Sequence, residues 1–216
     1  MALDLTHEGI AFPLARPAEV ARSGLKRALD IIVAGGLLAL FAPLFAFVAL
    51  MIKIDSSGPV LFRQTRTGLG GRRFTILKFR SMTVMENGGQ ISQATKGDQR
   101  VTRVGRVLRA LSIDELPQVV NILKGDMSLV GPRPHALSHD EMWAKSVAGY
   151  DARFRARPGL TGYAQVRGFR GEVLEPAEIQ SRVDADNYYI DNWSLGFELK
   201  ILLLTVPLML HDPNAY

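Results

Sequence analysis

The sequence predicts an α+β chain, mostly helical, with short β-hairpin elements and an N-terminal helix–break–helix that enters one membrane leaflet and returns. Three observations predict it. First, residues 31–52 form an apolar run with Pro43 near its middle. As a helix it would reach ~33 Å, enough for a hydrocarbon core of ~30 Å. Second, basic residues stand at both ends, Lys26 and Arg27 before it and Lys53, Arg63 and Arg66 after it. A single span carries its Lys/Arg excess on one side only. Third, the remainder alternates helical periodicity with brief extended segments between Gly- and Pro-rich turns.

Pro43 removes a backbone donor and clashes one turn back, which bends or breaks a helix. A re-entrant hairpin over residues 25–54 satisfies both the break and the two-sided charge. A kinked full span and a buried core helix are the alternatives. The run is too long and starts too late for a signal peptide. Residues 1–24, with Pro13 and Pro17, read as a mobile lead-in.

After the hairpin, the turn-rich stretch 55–59 leads to two short strands, 60–62 and 73–79, joined through the Gly-rich residues 67–71. These glycines lack the Lys-Ser/Thr ending of a phosphate loop. Residues 85–99 read as a mobile loop able to cover a site. Apolar residues at 101, 104, 107, 108 and 111 give a helix whose stripe leaves Arg103, Arg106 and Arg109 aside. A second helix is expected over 114–124, capped by Gly125. Pro132 and Pro134 interrupt regular structure, and the turn at 157–162 leads to an expected strand at 163–166. A polar helix follows from 176 to 189. The apolar stretch 199–210, interrupted by Pro207, is too short to span and should lie against the protein or the bilayer surface.

With 216 residues the chain has room for one ordinary domain beside the membrane element. It has no cysteine, which excludes disulfides, thiolate metal sites and a cysteine nucleophile. The net charge of +5 hides an asymmetry: residues 53–110 hold twelve Lys/Arg against three acids. Such a block attracts lipid headgroups, phosphorylated ligands or nucleic acid. Beside a membrane segment, anionic lipid or phosphate comes first, and no nucleic-acid motif supports the third. His135 and His139 have the i, i+4 spacing of a metal pair without the glutamate of a zinc-protease helix. They read as surface or substrate-side groups.

Asp114 and Glu115 carry the strongest chemical signal. With Asp114 as N-cap, Pro117 falls where its missing N–H costs nothing; with Ser112 as N-cap, Ser112 and Glu115 make a capping box. Either way both carboxylates lie in a helix's first turn, where the dipole favours their ionised form. An Asp-Glu pair in that position is ordinary capping. Here, however, Arg103, Arg106 and Arg109 lie upstream and Arg133 downstream. A carboxylate among guanidinium groups is poorly suited as a general acid. It suits a nucleophile or a magnesium ligand, and the guanidinium forks suit phosphate oxygens. A basic membrane-anchored module without enzymatic activity is the competing reading.

These residues resemble the bacterial polyprenyl-phosphate sugar-1-phosphate transferases, the monotopic phosphoglycosyl transferases. The resemblance covers Lys26 and Arg27 with the apolar hairpin, KFRSM at 78–82, LSIDELPQ at 111–118 and LKGDMSLVGPRP at 123–134. It continues through RPGLTG at 157–162, DNYYI at 186–190 and NWS at 192–194. His135 after Arg133-Pro134, RGE at 170–172 and the closing NAY at 214–216 look most like the undecaprenyl-phosphate glucose phosphotransferase branch. Tyr163 stands where that branch usually has Trp. Ala42 precedes Pro43 where the family often has Ser, so the break must find another way to satisfy its backbone.

The resemblance implies a compact monotopic catalytic domain, with residues 55–216 as the catalytic region on the cytoplasmic face of the bacterial inner membrane. It implies attack by Asp114 on the β-phosphorus of a UDP-sugar, with Glu115, beside Asp114, holding Mg²⁺. Undecaprenyl phosphate would then take the sugar phosphate. By motif position Lys78, Arg80, Arg109, Arg133 and Asp186 are candidate substrate-binding residues. Lys26, Arg27 and Pro43 are the expected membrane anchor. Membrane lipids are expected partners, and a second copy of the chain is a possible one.

Overall fold

The computed structural model describes residues 15–83, 98–169 and 176–210. Helix α1, Glu19–Arg22, is followed by α2, Gly24–Leu40, and α3, Ala42–Asp55. Strands β1, Leu61–Thr67, and β2, Arg73–Phe79, form an antiparallel hairpin in which Leu61 faces Phe79 and Thr67 faces Arg73. Then come α4, Arg103–Ala110, a 3₁₀ turn at Ile113–Glu115, and α5, Gln118–Lys124. Strand β3, Ser128–Val130, pairs in parallel with β4, Gly159–Thr161, on either side of α6, Leu137–Ser146. Helices α7, Tyr163–Val166, α8, Pro176–Asp191, and α9, Leu195–Leu210, complete the described chain. The architecture is mostly helical α+β, as expected. The proposed cover loop at 85–99 lies almost wholly outside the described residues.

The expected break falls between α2 and α3, which meet at a bend of 60°. Pro43 sits in the first turn of α3, where a missing N–H leaves nothing unpaired. The Phe41 N–H donates to the Leu37 carbonyl (2.9 Å) and the Phe45 N–H to the Phe41 carbonyl (2.8 Å). These two backbone bonds bridge the bend without a serine hydroxyl. No single described helix is long and apolar enough to cross a membrane, but this bent pair is by length and composition.

Helix α2 is built inside out. Its buried residues are Lys26, Asp30 and Ala34, one stripe at i, i+4 spacing, while Leu25, Ile32 (72 % exposed) and Leu40 face outward. In α3 Phe47, Leu50 and Ile54 are likewise exposed, as are Leu203 (73 %) and Val206 in α9. Polar groups turned in and apolar groups turned out suit a surface in contact with lipid rather than water.

Lys26 and Arg27 are therefore not the outward anchors expected from sequence. Lys26, 4 % exposed, donates to Glu198 Oε1 (2.5 Å) and to the Val130 carbonyl (3.1 Å). Arg27 donates to the Ile122 and Leu123 carbonyls (2.6 and 2.9 Å) at the end of α5. The last carbonyls of a helix and its dipole both favour a guanidinium at the C-terminus.

Asp30 completes the clamp on β3, accepting from the Ser128 hydroxyl (2.7 Å) and the Leu129 N–H (2.9 Å). A main core gathers Val20, Ala34, Ile76, Val119, Ile122, Met127, Leu129, Val130, Tyr189 and Ile201. Val20 corrects the lead-in reading for residues 15–24. That stretch is pinned by Ala18 N–H to the Arg155 carbonyl (2.9 Å) and Arg157 Nη1 to the Ala21 carbonyl (2.8 Å).

Residues 163–166 turn as a helix instead of the expected strand. The partner strand β3 stops at Val130 before Gly131 and Pro132, so pairing ends at Thr161 and nothing is left for 163–166 to bond. Gly131 and Gly159 pack backbone against backbone; a Cβ on either would run into the other segment. On α4, Leu108 is buried as its stripe requires, but Val107 and Leu111 are exposed.

Glu198 is 0 % exposed and also accepts from Tyr189 and Trp193. Lys26→Met should cost roughly 3–5 kcal/mol by leaving that charge uncompensated. The double change Lys26→Met with Glu198→Gln should cost clearly less than the sum of the two single changes. Denaturation of the lipid- or detergent-bound protein checks both.

Candidate active site

Pro117 decides how the carboxylate pair is presented. It has no N–H to offer the Ile113 carbonyl, so an α-helix cannot run through it. The chain instead closes a 3₁₀ turn, with the Leu116 N–H on the Ile113 carbonyl (3.1 Å), and α5 starts at Gln118 with Pro117 as its cap. Both capping expectations thus fail, and Asp114 and Glu115 precede the helix expected to contain them. Ser112, entering the turn at φ 54°, is the one non-glycine residue of positive φ among the described residues. Such a conformation is costly for a side chain with a Cβ and is held by the surrounding structure. Gly125 ends α5 at φ 91°, as expected.

Three elements bring cations to the turn. Lys78 comes from β2, and its Nζ lies 2.8 Å from Glu115 Oε1. Arg133 comes from the loop after β3 and grips Glu115 with both terminal nitrogens, at 2.7 Å to Oε1 and 3.3 Å to Oε2. Asn121 fixes α5 against β2, accepting from the Leu77 N–H (3.0 Å) and donating to the Thr75 carbonyl (2.7 Å). Arg109, at the end of α4, reaches Asp114 with its field and Met82 Sδ with Nη1 (3.7 Å).

The two acids are thereby driven apart. Burial pushes Glu115 up, but Arg133 and Lys78 outweigh it and hold the carboxyl well below the usual range. Asp114 is in no ion pair among the described residues. Burial, with the Glu115 charge beside it, pushes its carboxyl up to about 6 against the pull of Lys78, Arg109 and Arg133. Glu115 is a fixed anion that organises cations; Asp114 is an accessible carboxylate of raised basicity.

Two candidates lie elsewhere. Arg80 is buried under the end of α3, donating to the Ser56 carbonyl (2.7 Å), Ser56 Oγ (3.0 Å) and the Ile52 carbonyl (3.3 Å). It caps that helix instead of lining the site. Asp186 pairs with Arg153 (2.8 Å), and Arg153 Nη2 donates to the Arg133 carbonyl (2.7 Å). Asp186 thus supports the loop that carries Arg133 and stands one step behind any substrate contact.

Sequence reasoning missed this support. His135 is buried, its Nδ1 3.0 Å from Arg153 Nη1 and 2.7 Å from the Tyr150 hydroxyl, which donates to Asp140 Oδ1 (2.6 Å). Burial and the Arg153 charge hold the imidazole neutral. The His139 ring lies 4.9 Å from that of Trp143, at a tilt of 35°. Arg66 and Arg182, not singled out from the sequence, also lie within reach of the Arg133 charge. Burial lowers each to about 10, and Arg133 presses on both. The i, i+4 spacing of Arg182 and Asp186 was the available signal.

A mostly helical frame that sets one part-exposed carboxylate among clustered cations, beside a bent apolar helix pair, suits group transfer between anionic substrates. The chain matches the bacterial sugar transferase family over residues 21–212, and it belongs to that family. It is 56 % identical over 204 residues to the UDP-glucose:undecaprenyl-phosphate glucose-1-phosphate transferase of Caulobacter vibrioides, covering 94 % of this chain and 75 % of that protein. The Escherichia coli protein of the same name is 50 % identical over 182 residues, 84 % of this chain and 39 % of its own length. The exopolysaccharide production protein PSS of Rhizobium leguminosarum is 44 % identical over 186 residues, 84 % and 93 %. The chain thus spans most of some relatives and about two-fifths of others.

Because Asp114 titrates higher folded (about 6) than unfolded (3.8), the folded state binds its proton more tightly. Its contribution to stability is full below pH 3.8 and lost as pH rises through 6. Asp114→Asn should therefore melt higher than the parent at pH 7.5, with the gap closing below pH 4; melting curves at both pH values check it.

Proposed function

We propose that the chain transfers glucose 1-phosphate from UDP-glucose to undecaprenyl phosphate and releases UMP. The single observation carrying this reading is the accessible Asp114 carboxylate beside a Glu115 locked between Lys78 and Arg133. The relatives' names supply the substrates. An Asp114 oxygen attacks the β-phosphorus, and the bond from that phosphorus to the bridging oxygen breaks. UMP leaves with the electron pair, and the sugar phosphate stays on Asp114 as an acyl phosphate. A phosphate oxygen of undecaprenyl phosphate then attacks the same phosphorus and returns Asp114 as a carboxylate. Lys78, Arg109 and Arg133 stabilise charge on the phosphoryl oxygens without moving, because Glu115 and the Arg153 support already hold two of them.

Mg²⁺ suits this site as a shared ion. It accepts one or two carboxylates and takes its remaining oxygens from substrate phosphate and water. Asp114 and Glu115 would hold it, and it would supply further neutralisation of the diphosphate. Among the described residues no group of three or more His, Asp or Glu forms an all-protein cage.

The bent α2–α3 pair gives the centre its place. A hairpin entering one leaflet of the inner membrane from the cytoplasmic face would hold Asp114 where a soluble donor meets a lipid acceptor. The outward apolar residues of α2, α3 and α9 support lipid contact there.

Purified protein should release UMP from UDP-glucose with Mg²⁺ and undecaprenyl phosphate, and chelation should stop it. Asp114→Asn should lose turnover while remaining folded and membrane-bound. The kcat/KM for UDP-glucose, which reports the free enzyme, should fall as pH drops through about 6, where Asp114 takes up its proton. Mass spectrometry of enzyme with donor alone should find the sugar phosphate on Asp114; its absence from an active preparation rejects the covalent step. Tags on the two termini should report the same side of the membrane.

A further inference from the structure

Arg66 has no assigned task, and its surroundings are unusual for a cation. It lies on β1 on the same face as Gln64, and an antiparallel bridge sets it opposite Ala136, beside the loop that carries Arg133. Its Nη2 donates to Gln64 Oε1, a neutral partner. Its Nε is buried without a hydrogen-bond partner among the described residues. It is in no ion pair there either. Of the acids whose charge reaches it, Glu115 is held by Lys78 and Arg133. Asp140, the stronger influence, gives Oδ1 to Tyr150 and makes no ion pair with Arg66, although its Oδ2 has no hydrogen-bond partner among the described residues.

A guanidinium stays charged at any physiological pH, so it cannot escape this setting by losing its proton. Largely withdrawn from water, with Asp140 and Glu115 acting on it only through their field and not as an ion pair, it is poorly compensated. A second guanidinium, Arg133, presses on it from the adjoining loop. An anion arriving between the two would relieve both the repulsion and the unmet donors, and planar N–H forks match phosphate oxygens.

We propose that Arg66 is a phosphate-binding residue of this site, forming with Arg133 a two-guanidinium seat for a substrate phosphate. The proposal rests on the transfer reading above, which brings two sources of that chemistry: the donor's diphosphate and the acceptor's phosphate. Arg63, exposed on the opposite face of the same strand, has no such setting and serves as the control.

The test uses the full chain in lipid nanodiscs as parent, Arg66→Gln, Arg66→Lys and Arg63→Gln. Calorimetry with UDP and Mg²⁺ reads the donor side, and KM for undecaprenyl phosphate reads the acceptor side. Arg66→Gln should weaken one of them roughly ten- to hundred-fold, the scale of charge-assisted hydrogen bonds, with its melting temperature unchanged or raised. A loss in UDP affinity assigns the donor; an unchanged UDP affinity with a raised acceptor KM assigns the acceptor. Arg66→Lys should recover part of the loss, and Arg63→Gln should match the parent. Both readouts within about twofold of the parent for Arg66→Gln would overturn the proposal. So would a lowered melting temperature in both Arg66 variants, which would make Arg66 a strut of the fold. A parent that binds UDP but releases no UMP from UDP-glucose would reject the transfer reading, while the UDP arm would still decide Arg66.

Discussion

A carboxylate with no access to solvent, Glu198, holds the molecule's parts in register. Three donors converge on it: Lys26 from α2 (2.5 Å), the Tyr189 hydroxyl from α8 (2.7 Å) and the Trp193 indole (2.9 Å). An unpaired charge there would be prohibitive, so the helices are obliged to meet where they do. Lys26 also donates to the Val130 carbonyl, and the Tyr189 hydroxyl oxygen lies 3.2 Å from the same carbonyl. Val130 ends β3, and Arg133 follows three residues later. The first helix of the bent apolar pair and the loop that grips Glu115 are thus fastened through one polar knot.

From that knot outward, the site is a matter of separating two like charges. Asp114 and Glu115 are adjacent in sequence and would repel if left equal. Lys78 and Arg133 resolve this by taking Glu115, which leaves Asp114 desolvated, more basic and open. The arrangement is costly for Asp114 and useful for the same reason. Strain at Ser112 and the helix-breaking Pro117 keep the pair on a tight turn, so neither acid is spent on capping α5. Behind Arg133 stands a second buried pair, Arg153 with Asp186, extended by His135, Tyr150 and Asp140. The position of Arg133 is therefore maintained by groups that lie behind it.

Much of this was legible in the residues. The break at Pro43, the β-hairpin, the Gly125 cap and the proximity of Asp114 to arginines follow from local rules of backbone and charge. The misreadings share a cause. Lys26 and Arg27 are expected at the membrane because basic residues beside an apolar run ordinarily seek headgroups, and Arg80 is expected at the substrate from its place in a family motif. Each instead found backbone carbonyls or a buried carboxylate contributed by segments distant in sequence. Residues 163–166 had strand composition but no partner strand left to pair with.

The sequence by itself determined the mostly helical α+β class, the bent apolar pair, the position of the paired acids and the family's run of motifs. Those properties depend on neighbours within a few residues, where steric and capping rules act directly. Only the tertiary structure decided which cation serves which anion. Lys26 meets Glu198 across 172 residues, Lys78 meets Glu115 across 37, and Arg153 meets Asp186 across 33. Desolvation sets the strength of each pairing, and burial is a property of the assembled core that no local stretch of chain encodes.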